Sequence, residues 1–405
     1  MFVADLLNDD KWIEFLNYKL DKDYVSKHEK KQIKDFVLNK QYKTICNFIS
    51  KNEYSFSIPR KHLISKGRSS KKRAVYTFNN DEMIILKYIS YLLYEYDNLF
   101  ARNLYSFRKS FGVKSAINNI CNIKNISKMY GYKVDISNYF NSININILLD
   151  NLKEDIKDDG LYNLLYELLS NNKVKYNDEI IVEEKGVMAG VPISAFLANY
   201  YIKEIDDYFW NQKLVYLRYA DDIIMFCNDK EELIRNQQML LSFFKKYKLK
   251  INKEKEYFFE PQENWDFLGF SFCNDKVDLS LNSVKKIKAK IRRSARSIRR
   301  WMLKNNTPPE AALKAMNKKY NRKFYGKLDS DDLSWKYWFF PTITTTKSLK
   351  EIDNYMQECM RYMITGKHNK RNYEVVPYTL IKSCNYRPLV HEYYKFLSFD
   401  MKNDI

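Results

Sequence analysis

LVYLRYADDIIMFC (residues 214–227) sets two adjacent carboxylates, Asp221 and Asp222, between runs of apolar, β-branched and aromatic residues. Leu214 to Tyr219 and Ile223 to Cys227 have strand composition, so the stretch reads as a β-hairpin whose tight turn pushes both aspartates out of one sheet edge. Neighbouring carboxylates are costly there unless a cation neutralises them. An ordinary polar turn is the bland alternative for an isolated Asp-Asp pair, and the rest of the chain decides between the two.

The chain has 405 residues, of which 45% are hydrophobic and 16% aromatic, enough for a large core and two or three domains or subdomains. A formal net charge of +19 points to a polyanionic partner. Its 33 Tyr and 25 Phe lie among 69 Lys and Arg and supply stacking faces beside the charge, which favours nucleic acid over a membrane surface. Acids near the start and the lack of a long apolar run exclude a signal peptide, and no stretch approaches the roughly 18 apolar residues of a membrane span, so a soluble, cytoplasmic protein is expected. Cys46, Cys121, Cys227, Cys273, Cys359 and Cys384 are scattered without CxxC spacing and read as reduced thiols.

Residues 1–60 read as short amphipathic helices without evident chemistry. KHLISKGRSSKKR (61–73) is a basic Gly/Ser loop leading into the strand-like AVYTF, and Asp81 to Phe100 has helical spacing. Lys133 to Ser137 is a short strand with one acid, Asp135, followed by a helix from Tyr139 to Leu149. Residues 150–175 read as helical, Glu179 to Glu183 as a strand, and Gly186 to Ser194 as a small-residue loop before another helix. Glu231 to Leu249 is an amphipathic helix, with strands in EYFF and FLGFSF (267–272). Beyond about Cys273 the chain becomes helical and basic. VKKIKAKIRRSARSIRRWMLK (284–304) contains no acid and carries an apolar stripe of Val284, Ile287, Ile291, Ala295, Ile298 and Trp301, with Asn282 or Ser283 as its cap. Helices from Pro308 to Tyr320 and from Ser348 to Ile364 follow.

One acid on a strand, Asp135, beside a hairpin tip bearing Asp221 and Asp222 would suit nucleotidyl transfer. That reaction uses a pair of divalent cations to activate a 3′-hydroxyl and stabilise the leaving pyrophosphate, and hard cations want carboxylate oxygens on rigid backbone. KKRAVYTF, YSFRKSFGVKSAI (105–117), VDISNYFNSI (134–143), MAGVPISAFLAN (188–199), RYADD (218–222), KINKEK (250–255) and FLGF (267–270) resemble, in this order along the chain, the motifs of the reverse transcriptases.

The resemblance implies a mixed α/β (α+β) right-hand polymerase whose β-hairpin active site is followed by an all-α thumb and a short C-terminal extension. It implies N-terminal helices and fingers over 1–130, a palm over 131–278 with a fingers insertion at about 150–185, a thumb over 279–365 and an extension over 366–405. Asp135, Asp221 and Asp222 become the carboxylates that hold two Mg2+ ions, replaceable by Mn2+, with the Ile136 carbonyl as a further ligand. Phe140, beside Tyr139, matches the aromatic beneath the nucleotide sugar that excludes a 2′-hydroxyl. Arg73 matches the triphosphate clamp, with Lys66 and Lys71 as further nucleotide contacts. Ala189 and Gly190 lie where the backbone approaches nucleotide or template, and Lys255 matches a lysine that protonates pyrophosphate. Leu268 and Gly269 resemble the primer grip. Arg108 and the helical Lys288, Arg292, Arg296 and Arg299 are expected on primer or template phosphates.

Most reverse transcriptases place Gln before the glycine and Pro after the serine of the motif matched by MAGVPISAFLAN, where this chain has Ala189 and Ala195. That variant, with the tail GKHNKRNYEVVPYTLIKSCNYRPLVHEYYKF (366–396), resembles bacterial enzymes of the unknown-group and abortive-infection kind, related to group II intron and retron reverse transcriptases and often tied to antiphage defence. His368 and His391 then read as structural or nucleic-acid contacts. The implied activity is RNA-directed DNA synthesis on a noncoding RNA template, with deoxynucleoside triphosphates as substrates, cDNA as product, and a second copy or a separate effector protein as further partners. A retron-type enzyme, template-independent or protein-primed synthesis, and an RNA-binding maturase-like protein are the alternatives.

Overall fold

The computed structural model describes residues 2–22, 25–65, 72–326 and 334–403, and in these the alternating apolar runs become eleven strands. In the first unit they are β1 (Arg60–Ser65), β2 (Lys72–Thr77), β3 (Tyr130–Asp135), β4 (Lys173–Tyr176), β5 (Glu179–Val182), β6 (Val215–Tyr219), β7 (Asp222–Cys227) and β8 (Tyr257–Phe259). In the second they are β9 (Trp265–Phe267), β10 (Phe270–Cys273) and β11 (Lys276–Leu279). The first unit comprises residues 1–119 and 128–261, and the second 120–127 and 262–405. No helix among the described residues is long and apolar enough to cross a membrane.

Two four-stranded sheets organise the first unit, in the orders β2-β1-β4-β5 and β6-β7-β3-β8. In the second sheet β7 runs antiparallel to both β6 and β3, and the register puts Asp222 opposite Tyr219 on one side and Asp135 on the other. Ile223 to Cys227 are all buried. A strand covered on both faces needs apolar residues at every position, which explains the unbroken run. Helix Lys230–Lys246 packs on β3 and β7, and Lys203–Asn211 on β6, with Leu233, Leu240 and Phe244 of the former in the core.

The exception inside β6 is Arg218, fully buried against Asp206 of helix Lys203–Asn211. Its Nε donates to Asp206 Oδ1 at 2.8 Å, and its Nη2 donates to Asp206 Oδ2 and, at 3.0 Å, to the Asn199 carbonyl. Tyr216 donates a further hydrogen bond to Asp206 Oδ1 at 3.0 Å. Burial alone would lower the Arg218 pKa, but the Asp206 charge and hydrogen bonds raise it, so the guanidinium stays charged. The backbone is pinned as well. Tyr105 N–H donates to the Arg218 carbonyl at 2.9 Å and Arg218 N–H to the Asn103 carbonyl at 3.0 Å, so residues 103–105 extend the sheet beyond β6.

In the second unit β9, β10 and β11 form a meander. Phe267 pairs with Phe270 across Leu268 and Gly269, whose φ values of +49° and +92° make FLGF a two-residue hairpin turn rather than continuous strand. Helix Leu281–Lys304 packs on Pro309–Tyr325 and Lys347–Thr365, and Leu389–Asn403 packs on the last of these.

Several local expectations shift. Residues 61–65 are strand, because Arg60 to Ser65 pair fully with β2, and Lys173 to Tyr176 are strand rather than helix because they pair with β5 and meet β1. The helix expected from Tyr139 to Leu149 breaks at Ile143, giving Tyr139–Ser142 and Ile145–Asp155, with Asn144 capping the second. The cap of Leu281–Lys304 is Ser280, whose side chain accepts from Ser283 N–H, not Asn282 or Ser283. Trp301 is exposed and Met302 is the buried residue at that end.

Replacing Arg218 by Met should strand a buried carboxylate and lower stability by about 3–5 kcal/mol in urea unfolding. A loss below about 1 kcal/mol would show that the pair does not anchor the hairpin.

Candidate active site

The hairpin tip is a two-residue turn, Ala220 and Asp221, between the paired Tyr219 and Asp222. Ala220 adopts a left-handed φ of +57°, a conformation disfavoured for a residue with a Cβ. It is buried, and its N–H donates to Ser106 Oγ at 2.8 Å, so the surrounding structure imposes the strain. Ser106 in turn donates to Asn199 Oδ1 at 3.0 Å. Asp221 is tied to the end of β3 through its carbonyl, which accepts from Ile136 N–H at 3.0 Å. Backbone pairing thus holds Asp135, Asp221 and Asp222 together at the adjoining ends of β3 and β7.

The electrostatic consequence is visible in the acids. Burial, then the Asp221 charge, pushes the Asp222 carboxyl up to about 6 against the pull of Lys133. Burial and the Asp135 charge also raise Asp221, opposed by Lys255 and Arg73. Lys255 supplies a direct counter-charge, with Nζ 2.6 Å from Asp135 Oδ2. Burial by itself would lower the Lys255 ammonium, but the hydrogen bond and the three aspartates raise it.

Lys255 is aimed by the KINKEK segment. Ser137 N–H donates to the Lys250 carbonyl and Asn252 N–H to the Asp135 carbonyl, both at 2.8 Å, and Asn252 caps the turn Lys253–Lys255. These bonds do not use the Ile136 carbonyl.

A second group of expected residues gathers around Phe140. Its half-buried ring lies 5.8 Å from the Arg73 guanidinium and 6.0 Å from the Phe107 ring. The neighbouring Tyr139 instead points into the core and donates to the Ala198 carbonyl. Val187 N–H donates to the Phe140 carbonyl at 2.9 Å, and Gly186, with φ +52°, presses so close that a Cβ there would meet that carbonyl at 2.3 Å. Gly190, φ +102°, makes its close approach to the Tyr76 backbone of β2, where Tyr76 N–H donates to the buried Ala189 carbonyl at 2.8 Å. Asn141 completes the joint by donating to the Ala74 carbonyl at 3.2 Å and accepting from Ala189 N–H at 3.1 Å.

Other expected residues have internal partners. Arg108 is buried, grips Asp97 with Nε and Nη2 at 2.8 and 2.9 Å, and lies 4.2 Å from the Phe111 ring centroid, so it is a structural clamp rather than an exposed phosphate contact. In the second unit Lys288 pairs with Glu351, and Arg299 donates to the Met363 and Ile364 carbonyls at a helix end. Arg292 is half-buried, and only Arg296 of the four is exposed, alongside Lys285, Lys286, Lys290, Arg293 and Arg300. The basic face is therefore offset from the expected one, because the apolar stripe drew Lys288 and Arg299 inward with it. The Leu268-Gly269 turn is held by Ser280 N–H and Ser283 Oγ, which both donate to the Gly269 carbonyl at 2.9 Å. Lys66 and Lys71 lie outside the described residues.

Asn141, Gly186, Phe107 and the Arg218–Asp206 pair were not singled out from the sequence. A charged residue inside an apolar strand is itself a request for a buried partner, so Arg218 left a readable signal. Asn141 and Gly186 left none, since their roles arise from contacts between distant segments.

No three Asp, Glu, His or Cys side chains among the described residues form a ready metal cage. The donors nevertheless fit a divalent ion. They are hard carboxylate oxygens on rigid backbone, burial and neighbouring carboxylates raise the pKa of Asp221 and Asp222, and Lys255 already sits on Asp135 as a cation. Magnesium commonly takes only one or two protein carboxylates and completes its shell with water and substrate phosphates.

A family model described as reverse transcriptase (RNA-dependent DNA polymerase) matches residues 58–272, more than half of the chain. A putative COX1/OXI3 intron 2 protein of Saccharomyces cerevisiae is 30% identical over 165 residues, covering 40% of this chain and 19% of that protein. The retron Ec83 reverse transcriptase of Escherichia coli is 29% identical over 167 residues, covering 40% of this chain and 53% of that one. The chain thus spans at most about half the length of these curated relatives. A telomerase structure from Candida albicans, in complex with a TWJ fragment of telomeric RNA, aligns with 86% of this chain and 68% of its own at 14% identity and a TM-score of 0.44.

The raised Asp222 pKa gives a signed prediction. A carboxyl titrating near 6 in the folded chain and near 3.8 when unfolded carries no penalty below about pH 4 and its full penalty above about pH 6. Asp222→Asn should therefore stabilise the metal-free protein by about 3 kcal/mol at pH 7, with the gain fading as pH falls from 6 to 4 and shrinking when Mg2+ is added. Thermal melts across that range test this, and a pH-independent difference would contradict it.

Proposed function

Because the chain belongs to the reverse transcriptase (RNA-dependent DNA polymerase) family, we propose that it adds deoxynucleotides to a primer on an RNA template. The observation that carries this reading is the meeting, within one unit, of Asp135, Asp221, Asp222 and Lys255 with the Arg73–Phe140 pair. Two divalent ions, held by Asp135 and Asp221 with Asp222 and the Ile136 carbonyl, would lower the pKa of the primer hydroxyl and offset charge on the departing pyrophosphate.

The chain's own residues supply the rest. Arg73 presents a planar fork to phosphate oxygens. Phe140, fixed from behind by Gly186 and Val187, bars a 2′-hydroxyl. Lys255 holds a proton on Nζ that pyrophosphate accepts as it leaves. Within this reading residues 1–130 act as N-terminal helices and fingers, 131–278 as palm, 279–365 as thumb and 366–405 as extension. Arg296 and the exposed cations beside it on helix Leu281–Lys304 contact duplex phosphates, and Leu268 and Gly269 contact the primer.

We further propose a bacterial, cytoplasmic enzyme of antiphage defence that copies a noncoding RNA, a reading supported by Ala189, Ala195 and the tail sequence. A retron-type role is the second reading, favoured by the similarity to the Ec83 enzyme.

Asp221→Asn should abolish incorporation of labelled deoxynucleotide while affinity for a primer–template duplex is largely kept, and surviving synthesis would remove Asp221 from the catalytic set. Phe140→Ala should raise ribonucleotide use relative to deoxynucleotide by about tenfold, equivalent to about 1.4 kcal/mol. Unchanged sugar selection in single-nucleotide extension assays would reject the steric role.

A further inference from the structure

The sheet β2-β1-β4-β5 ends in two edges that are treated differently. At β2 the edge is covered, because Tyr76 N–H donates to the Ala189 carbonyl at 2.8 Å and the Ala74 carbonyl accepts from Asn141 at 3.2 Å. At β5 it is bare. Asn177 and Asp178, at φ +48° and +66°, form a two-residue hairpin turn, so Tyr176 and Glu179 are the first hydrogen-bonded pair and Val174 and Ile181 the next. Glu183 N–H continues the alternation by donating to the Asn172 carbonyl at 3.1 Å. The N–H and C=O of Ile180 and Val182 therefore point away from β4, and they meet no hydrogen-bonding partner among the described residues.

The side chains at the same two positions stand in solvent. Ile180 is 60% exposed and Val182 68%, whereas Ile181 packs against the core. Free backbone groups beside exposed β-branched side chains template a further strand, and proteins commonly blunt such an edge with a lysine, a proline or a bulge. Positions 180–182 carry none of these.

Charge narrows the occupant. In a chain of net charge +19, both ends of this edge are acidic, and Glu179 and Glu184 are exposed without an ion pair among the described residues. Glu183 is held by Lys61 and Asp178 by Lys175, while Lys173 lies one strand in, across from Val182. A second copy related by a two-fold axis would add its β5 antiparallel, setting the acidic start of one edge against the acidic end of the other. Like charges directly opposite destabilise a strand pair. Nucleic-acid phosphates would meet the same repulsion.

We propose that β5 is a docking edge for a partner protein, which adds an extended segment with apolar, β-branched residues in its middle and Lys or Arg at its ends. Main-chain bonds to Ile180 and Val182 hold the segment, and Glu179 and Glu184 select its charge.

A fluorescein-labelled peptide, Lys-Lys-Val-Thr-Ile-Lys-Lys, tests this by anisotropy on the full chain, with Glu-Glu-Val-Thr-Ile-Glu-Glu as control. The basic peptide should bind and the acidic one should not, although the chain's overall charge favours the opposite order. Val182→Pro removes one outward N–H at a position where an edge strand tolerates proline, and should weaken binding about tenfold. Glu179→Lys combined with Glu184→Lys should weaken it as well while leaving every backbone group in place. Amide exchange resolved to single residues should show Ile180 and Val182 becoming protected when the basic peptide is added. No binding of the basic peptide, tighter binding of the acidic one, or an affinity unchanged in both variants would overturn the proposal. Concentration-dependent dimers in sedimentation that Val182→Pro dissolves would do so too, by making the occupant a second copy.

Discussion

Three carboxylates can be kept side by side only if the backbone that carries them cannot relax apart, and here the buried Arg218–Asp206 pair provides that restraint. Arg218 sits two residues before Ala220 in the strand that leads to the turn. Its guanidinium joins β6 to helix Lys203–Asn211 and to the Asn199 carbonyl, and its own backbone is bonded to residues 103 and 105. Ser106, at the end of that added segment, then holds Ala220 in its left-handed turn. Repulsion among Asp135, Asp221 and Asp222 is thus opposed by an ion pair that water does not reach, and burial together with that repulsion surfaces as raised pKa values of Asp221 and Asp222 rather than as movement of the hairpin. A divalent ion would find its ligands already assembled.

The same economy of linked contacts places the Arg73–Phe140 group. Asn141 bonds both to β2 and to the loop after β5, Tyr76 of β2 bonds to Ala189 of that loop, and the loop closes on Phe140 through Val187 and Gly186. Arg73 and Phe140 belong to segments far apart in the chain, yet four hydrogen bonds, each using at least one backbone group, fix their relation. A change at Asn141 or Gly186 would therefore reach the site without touching a substrate.

Much of this was legible in the sequence, and the boundary has a physical basis. The hairpin, the strand carrying Asp135, the KINKEK segment and the basic helix all announce themselves by local periodicity or motif, which short-range chemistry dictates. What escaped depends on pairing across long separations. The partner of Arg218, the clamp that takes Arg108 out of contention for phosphate, and the inward turn of Lys288 and Arg299 depend on which faces meet in the folded chain. The N-terminal helices show the limit most plainly. They carry no motif, yet Lys19, Val25 and Glu29 line a cavity whose other walls come from residues 87–107 and 192–196.

The central claim is that Asp135 and Asp221 form one cation site whose charge Lys255 partly balances. Anomalous diffraction from crystals of the protein with primer–template, a non-hydrolysable deoxynucleotide and Mn2+ tests it directly. The account predicts manganese bound by Asp135 and Asp221, with Lys255 no longer on the Asp135 carboxylate. Manganese bound elsewhere, with the Lys255–Asp135 pair intact, would contradict it.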